Sequence, residues 1–116
     1  VRGYLEAQAS AAMQAGVARE SIAIDPGLGF GKTFEHNMRL MREIDSLAEL
    51  GLPVLVGPSR KSFIGTALGD LPVEDRLEGT AAAVAVLAFN GAHVVRVHEV
   101  KEMARVVRVV DAIRTG

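Results

Sequence analysis

The chain alternates between helix-type and strand-type hydrophobic patterns along its length. Four segments carry apolar residues at three- and four-residue spacing, which predicts four helices. Between them lie three short apolar segments bounded by Gly or Pro, which are typical of buried strands. The predicted helices cover residues 4–15, 35–50, 77–88 and 103–113, and the predicted strands cover residues 21–24, 53–57 and 92–97.

The order of these elements predicts the fold class. Helices that alternate with short, continuously apolar strands form βαβ units in which the strands run parallel. We therefore expect an α/β protein with three parallel strands and four helices. No linker, low-complexity segment or strong repeat interrupts the 116 residues, so we expect them to belong to one domain.

Composition and charge narrow the class of protein. Hydrophobic residues make up 49% of the chain, mainly Val, Ala, Leu and Ile, which suits helices packed on parallel strands. The formal net charge of −1 gives no reason to expect binding to nucleic acid or to a membrane. The lack of Cys excludes disulfides and thiolate metal sites. Without a signal-peptide pattern or an apolar run of roughly 20 residues, we predict a cytoplasmic protein.

The residues whose side chains could bind a ligand or take part in a reaction come directly after the predicted strands. They stand in "DPGLGFGK" (25–32), "GPSRKS" (57–62) and "RVHEV" (96–100). In parallel α/β folds this edge of the sheet is where ligands bind, because the loops converge there and helix N-termini point towards it. The sequence therefore predicts a binding site built from all three motifs.

The segment "DPGLGFGKT" (25–33) looks like a nucleotide-binding loop but is not one. A Walker A motif requires Gly five residues before its Gly-Lys pair, and Pro26 occupies that position. Its glycines still allow the backbone to approach a flat ligand closely, and Phe30 offers an aromatic surface. The alternative is a tight turn with no binding role.

Asp25 stands where the first predicted strand ends. A partly buried carboxylate needs a partner with paired N–H donors, such as the amino-pyrimidinone edge of a pterin or a guanine. The alternatives are a helix N-cap or an internal salt bridge with Lys32.

The "SRKS" segment (59–62) places two cations between two hydroxyl residues in a Gly-rich loop. Such a group could bind an anion or polarise a carbonyl. The alternative is an ordinary solvated basic surface.

The "RVH" segment places Arg96 and His98 on one face of the third strand. Together they could hold a phosphate or a diphosphate. The alternative is an Arg96–Glu99 ion pair with a structural histidine. We expect His93 to be structural and His36 to be exposed, and the spacing of the histidines does not support a metal site.

In this order the three motifs resemble dihydropteroate synthase, a family with a DPG-x-GFGK segment, an SRK loop and an RVH strand. They read here "DPGLGFGKTFEHN" (25–37), "PVLVGPSRKSFIG" (53–65) and "GAHVVRVHEV" (91–100), with "DRLEGT" (75–80) between the last two. The resemblance implies the last βα units of a (β/α)8 TIM barrel, which needs roughly 250 residues. Residues 1–116 would then be the C-terminal part of a single pterin-binding domain.

The resemblance also implies a transferase of folate biosynthesis and a sulfonamide target. Its reaction joins 6-hydroxymethyl-7,8-dihydropterin diphosphate to p-aminobenzoate and gives 7,8-dihydropteroate and pyrophosphate. Mg2+ is expected, with its ligands in the N-terminal part of the barrel. A homodimer formed through the last helices is expected as well, and the isolated fragment is expected to be inactive.

Roles for individual residues follow from the same resemblance. Asp25 would bind the amino-pyrimidinone edge of the pterin, and Gly57 would line the pterin pocket, where a side chain would collide. Lys61 would contact the pterin and stabilise its developing charge. Arg96 would lie along the pterin and hold the phosphates, and His98 would bind the diphosphate.

Two further residues, Phe30 and Ser62, would contact p-aminobenzoate, Ser62 through the carboxylate. Two alternative functions stay open at this point. One is a pterin-dependent methyltransferase that acts on a corrinoid, although it would not need a diphosphate site. The other is a half barrel that binds pterin or assembles without catalysing a reaction.

Overall fold

A computed structural model of the protein describes residues 1–115. The two strands are β1 (Leu55–Val56) and β2 (Val94–Val95). Short 3-10 turns cover Arg19–Ser21 and Val73–Asp75. The helices are α1 (Arg2–Gln14), α2 (Phe34–Arg42), α3 (Asp45–Ala48), α4 (Ser62–Ala67), α5 (Leu77–Phe89) and α6 (Val100–Thr115).

The strands run parallel, which confirms the predicted α/β class. β1 pairs with β2 in the register Leu55 to Val94 and Val56 to Val95. The first predicted strand, residues 21–24, is reduced to one parallel bridge between Ile24 and Val54. The expected three strands are therefore two strands and one bridge in the part of the chain described. Ser21 belongs to a 3-10 turn and Pro26 has no N–H to donate, so little of this segment can join a ladder.

The helices also differ from the pattern-based prediction of four, since residues 1–115 contain six. The helix expected over residues 35–50 is two helices, because the backbone leaves helical geometry at Glu43, where φ is −105° and ψ is 21°. This break precedes Ile44 and Leu47, which are both buried. The extra helix α4 is only six residues long. Its short length leaves too few turns for a periodic pattern to be recognised.

The core lies between the sheet and the helices. Val54, in the bridge to Ile24, and Val56, in β1, share one face and are fully buried, whereas Val94 of β2 is 46% exposed. The larger buried apolar residues on and between the helices are Met41, Ile44, Leu47, Val84, Leu87, Met103 and Val110. Leu87 lies outside the apolar stripe predicted for residues 77–88, whereas Leu77, which that stripe included, is 40% exposed. Among the helices described, none combines the length and apolar character needed to cross a bilayer.

Candidate ligand-binding site

The loop over residues 25–33 is held by hydrogen bonds to its own backbone. Asp25 Oδ1 accepts a hydrogen bond of 2.8 Å from the N–H of Gly27. Lys32 Nζ donates to the carbonyls of Gly27, at 2.9 Å, and Phe30, at 3.1 Å. Lys32 is therefore not the ion-pair partner of Asp25. Asp25 is also not the cap of α2, because Thr33 Oγ1 accepts the hydrogen bond of the first turn.

Asn37 joins this loop to α2, and sequence reasoning did not identify it. Its side chain is almost fully buried. Its Oδ1 accepts from the N–H of Gly29 at 2.8 Å, and its Nδ2 donates to the carbonyl of Thr33 at 3.0 Å. Gly29 has a φ of 84°, a left-handed conformation that glycine adopts without strain. The one feature of the sequence that could have identified Asn37 is that a polar amide occupies a buried position of α2.

Lys61 lies between the glycine-rich loop and the third strand. Its Nζ is 3.9 Å from the centroid of the Phe30 ring, a cation–π contact. Burial lowers the pKa of Lys61, the positive charge of Arg96 lowers it further, and the negative charge of Asp25 acts in the opposite direction. The structure thus brings four of the predicted site residues into one electrostatic group.

Arg96 lies directly over Gly57. A Cβ atom at Gly57 would be 2.8 Å from Nη2 of Arg96 and 3.2 Å from its Nε. The alternative pairing of Arg96 with Glu99 is wrong, because Glu99 Oε1 accepts from Nε of Arg60, at 2.8 Å, and from its Nη2, at 2.5 Å. These hydrogen bonds from Arg60 lower the pKa of Glu99. Within residues 1–115, the Arg96 guanidinium has no carboxylate partner.

The two cations of the SRK loop have different roles. Arg60 turns towards Glu99, and its backbone has a positive φ of 59°. The N–H of Arg60 donates to Thr80 Oγ1 at 3.1 Å, and its carbonyl accepts from Arg76 Nη1 at 2.9 Å. Thr80 and Arg76, which belong to the "DRLEGT" segment, therefore support the loop. Only Lys61 of the two cations reaches the pocket.

His98 is bound to the side chain of Ser59. Ser59 Oγ is 2.8 Å from His98 Nδ1 and accepts from the backbone N–H of His98 at 3.1 Å. Ser59 is buried, and the sequence identified it only as one of the two hydroxyl residues of the SRKS segment. His93 has the predicted structural role, since its Nδ1 accepts from the N–H of Val54 at 3.0 Å. His36 is exposed in the first turn of α2, as predicted.

A pocket of about 390 Å³ opens between these groups. Two of the predicted site residues, Phe30 and Asp25, do not line the pocket. Phe30 contacts Lys61, which does line it, and the charge of Asp25 acts on Lys61. Ser62 is exposed at the start of α4 and does not line it. The lining residues are Gly57, Ser59, Lys61, Arg96, Val97 and His98.

Two other cavities have nearly the same volume, so size does not identify the site. One of about 380 Å³ lies between α1 and α2, and another of about 380 Å³ is an apolar groove between α2, α4 and α5. We assign the site to the pocket at the strand ends because Lys61, Arg96 and His98 converge there. This is the edge at which parallel α/β folds bind ligands.

The chain is similar in sequence to dihydropteroate synthases of several bacteria. The chain is 45% identical over 113 residues to the dihydropteroate synthase of Synechocystis sp., which covers 97% of this chain and 39% of that protein. The enzyme of Escherichia coli strain K12 is 45% identical over 112 residues, covering 97% of this chain and 39% of that protein. The chain thus spans about two fifths of the length of these curated relatives.

Solved structures show the same likeness. The dihydropteroate synthase of Xanthomonas albilineans in complex with 7,8-dihydropteroate superposes with a TM-score of 0.95 at 37% identity, over 99% of this chain and 44% of that chain. A Yersinia pestis dihydropteroate synthase in a sulfonamide drug complex gives a TM-score of 0.92 at 37% identity, over 97% of this chain and 40% of that chain.

A family model supports this likeness independently of any single relative. The model described as pterin binding enzyme matches residues 1–98, which include the first two motifs, the RVH segment and every residue that lines the pocket. The chain therefore belongs to the pterin binding enzyme family.

Proposed function

We propose that this chain is the part of a dihydropteroate synthase that binds pterin diphosphate, formed by the last βα units of a (β/α)8 barrel. The observation that carries the proposal is the convergence of Lys61, Arg96 and His98 on one pocket at the ends of β1 and β2. Because the chain spans about two fifths of its curated relatives, catalysis is proposed for the whole barrel and not for these residues alone.

The charges of the pocket suit a diphosphate next to a flat heterocycle. Arg96 would donate a fork of hydrogen bonds to phosphate oxygens, and His98 would donate one more. Asp25 Oδ1 is engaged by Gly27, which leaves the other carboxylate oxygen for the N–H groups of a pterin edge. Gly57 would keep the floor of the pocket flat. The position of Lys61 near both Asp25 and Arg96 would let it contact the pterin and the phosphates.

The proposed reaction is a substitution at the exocyclic carbon of the pterin. The bond between this carbon and the diphosphate oxygen breaks, and pyrophosphate leaves with the electron pair. The amine nitrogen of p-aminobenzoate then bonds to the carbon and loses a proton to solvent. Negative charge grows on the leaving oxygens, so the cations Arg96 and Lys61 and the N–H of His98 would stabilise the transition state. An aromatic amine attacks in its neutral form, so the chain needs no general base.

The residues proposed for p-aminobenzoate are Phe30 and Ser62. The Phe30 ring is 65% exposed and held beside Lys61, so one of its surfaces is free for an aromatic substrate. Ser62 is exposed at the beginning of α4, next to Lys61. Its hydroxyl could donate a hydrogen bond to the carboxylate of the substrate.

Mg2+ is part of the proposal only for the whole barrel. Residues 1–115 bring together no group of three or more His, Cys, Asp or Glu side chains suited to a metal ion. The pocket is lined by the cations Lys61 and Arg96, which would repel Mg2+. These residues do not fit a metal site, and we propose that its ligands belong to the portion of the relatives that lies outside this chain.

Assembly and location are further proposals. Apolar side chains of α5 and α6 are exposed, and at 64% Ile113 is among the most exposed of them. They suit a homodimer interface formed through the last helices, as the resemblance implies. The other exposed apolar side chains on α5 and α6 include Val86, Phe89, Val100 and Val109. A folate-pathway enzyme of this composition would work in the cytoplasm, without nucleic acid or membrane.

Calorimetry of the 116-residue chain with a pterin and with pyrophosphate tests the proposed function. We expect Asp25→Ala to abolish pterin binding while pyrophosphate binding persists, and Arg96→Ala to weaken pyrophosphate binding. The exposed His36→Ala serves as a control that changes neither. A folded chain that binds neither ligand would overturn the binding role and favour a purely structural half barrel. Binding of a corrinoid would instead favour the methyltransferase.

A further inference from the structure

We propose that Ser59 is a positioning residue that holds His98 in the tautomer with its proton on Nε2. Ser59 is only 6% exposed, and its hydroxyl makes both of its contacts with one residue. Its Oγ is 3.1 Å from the backbone nitrogen of His98 and 2.8 Å from Nδ1 of the same residue. No ion pair or other side-chain hydrogen bond of Ser59 occurs in the described chain.

The direction of the shorter contact follows from counting hydrogens. A serine hydroxyl has one hydrogen to donate and two lone pairs to accept. The backbone N–H of His98 can only donate, so it occupies one lone pair. If Nδ1 also donated to Oγ, the hydroxyl hydrogen of this buried serine would have no acceptor, which is costly. The hydroxyl therefore donates to Nδ1, and the proton of the neutral imidazole resides on Nε2.

The tautomer decides what the pocket offers to a ligand. Nε2 is on the side of the ring opposite Nδ1, and His98 lines the pocket together with Lys61 and Arg96. With hydrogen on Nε2, the ring donates to an anion; in the other tautomer, a lone pair would face the anion and repel it. The identity of that anion as a diphosphate rests on the proposed function, whereas the tautomer can be observed without any ligand.

Nitrogen-15 NMR of the histidine-labelled chain at about pH 8, where imidazole side chains are neutral, tests the assignment. His93 is an internal standard, because its Nδ1 accepts from the N–H of Val54 and so must also lack a hydrogen. We expect His98 to match His93. In Ser59→Ala we expect His98 to shift towards the tautomer mixture of the exposed His36, while His93 stays unchanged. A hydrogen on Nδ1 of His98 in the wild-type chain would overturn the proposal without any variant.

The affinity for pyrophosphate gives a second readout. We expect Ser59→Ala to weaken it about fivefold, the value of one ordinary hydrogen bond, and Ser59→Thr, which keeps the hydroxyl, to restore it. In a His98→Gln background the same Ser59→Ala change should have no effect, because the amide cannot be held in a tautomer. An equal loss in that background would mean that Ser59 acts on the pocket generally and would overturn the proposal. If the wild-type chain bound no pyrophosphate, the proposed function would fail while the wild-type spectrum still decided the tautomer.

Discussion

The guanidinium of Arg96 occupies the space that a side chain at Gly57 would need. A Cβ atom there would lie only 2.8 Å from Nη2 of Arg96. Arg96 is fixed to β1 at its backbone, where its N–H donates to the carbonyl of Val56 at 2.9 Å. Gly57 does not have a positive φ, so its backbone conformation does not require glycine. A glycine suits this position because a side chain would occupy the space of the Arg96 guanidinium.

Gly57→Ala should therefore impair binding more than folding. The new methyl group would displace the flexible end of Arg96, so we expect pyrophosphate affinity to fall about tenfold, the order of one charge-assisted interaction. The free energy of unfolding should change by less than about 1 kcal/mol, because the backbone conformation is open to alanine. Calorimetry and urea denaturation measure the two effects. Gly3→Ala, where a Cβ would meet nothing within 4 Å, is the matched control. Unchanged affinity would show that Arg96 does not hold the anion.

Thr80→Val should destabilise the SRK loop. Thr80 is fully buried, and its Oγ1 accepts from the N–H of Arg60 at 3.1 Å. Valine has nearly the same shape but leaves that N–H without its partner, so we expect the free energy of unfolding to fall by about 1–2 kcal/mol. Urea denaturation provides the measurement. Thr66→Val removes an exposed threonine hydroxyl bonded to Ser62 and should cost less than about 0.5 kcal/mol. Equal losses in the two variants would contradict the role assigned to Thr80.

The pKa of Lys61 should respond in opposite directions to its two charged neighbours. Arg96 lowers this pKa and Asp25 raises it. We therefore expect Arg96→Met to raise the pKa of Lys61 and Asp25→Asn to lower it, as followed by NMR titration of the lysine side chain. Glu6→Gln, on the exposed surface of α1, should leave it unchanged. Shifts of the same sign in the Arg96 and Asp25 variants would show that Lys61 does not lie between these two charges.

Stability should rise with pH in the range where Lys61 loses its proton. Because the folded-state pKa is below the ordinary value of 10.5, the unfolded chain binds more protons between these two values. The contribution of this group to the free energy of unfolding therefore increases with pH across that window. Below the window, the folded chain carries the full cost of keeping Lys61 protonated. Lys61→Met removes the charge, so it should stabilise the chain at neutral pH, and the difference from wild type should vanish above 10.5. A variant less stable than wild type at neutral pH would contradict this assignment. Denaturation at several pH values is the measurement.

The hydrophobic pattern was sufficient to predict the class of fold. The predicted parallel strands are confirmed by the pairing of β1 with β2. The prediction succeeds because continuously apolar segments flanked by helices have few other ways to become buried. The pattern was less reliable for short elements. It gave no indication of α4, which is six residues long, and it ran α2 and α3 together across the turn at Glu43.

The sequence by itself determined which chemical groups the chain carries and that they follow the strands, at one edge of the sheet. Which groups meet was decided by the tertiary structure. The sequence suggested Arg96 as a partner for Glu99, three residues away, yet Arg60, 39 residues away, is the partner. The pairing of β1 with β2 brings the SRK loop beside residues 96–99, and Thr80 and Arg76 then turn Arg60 away from the pocket. Local periodicity carries no information about such distances, because hydrogen bonds between loops depend on how separate elements pack.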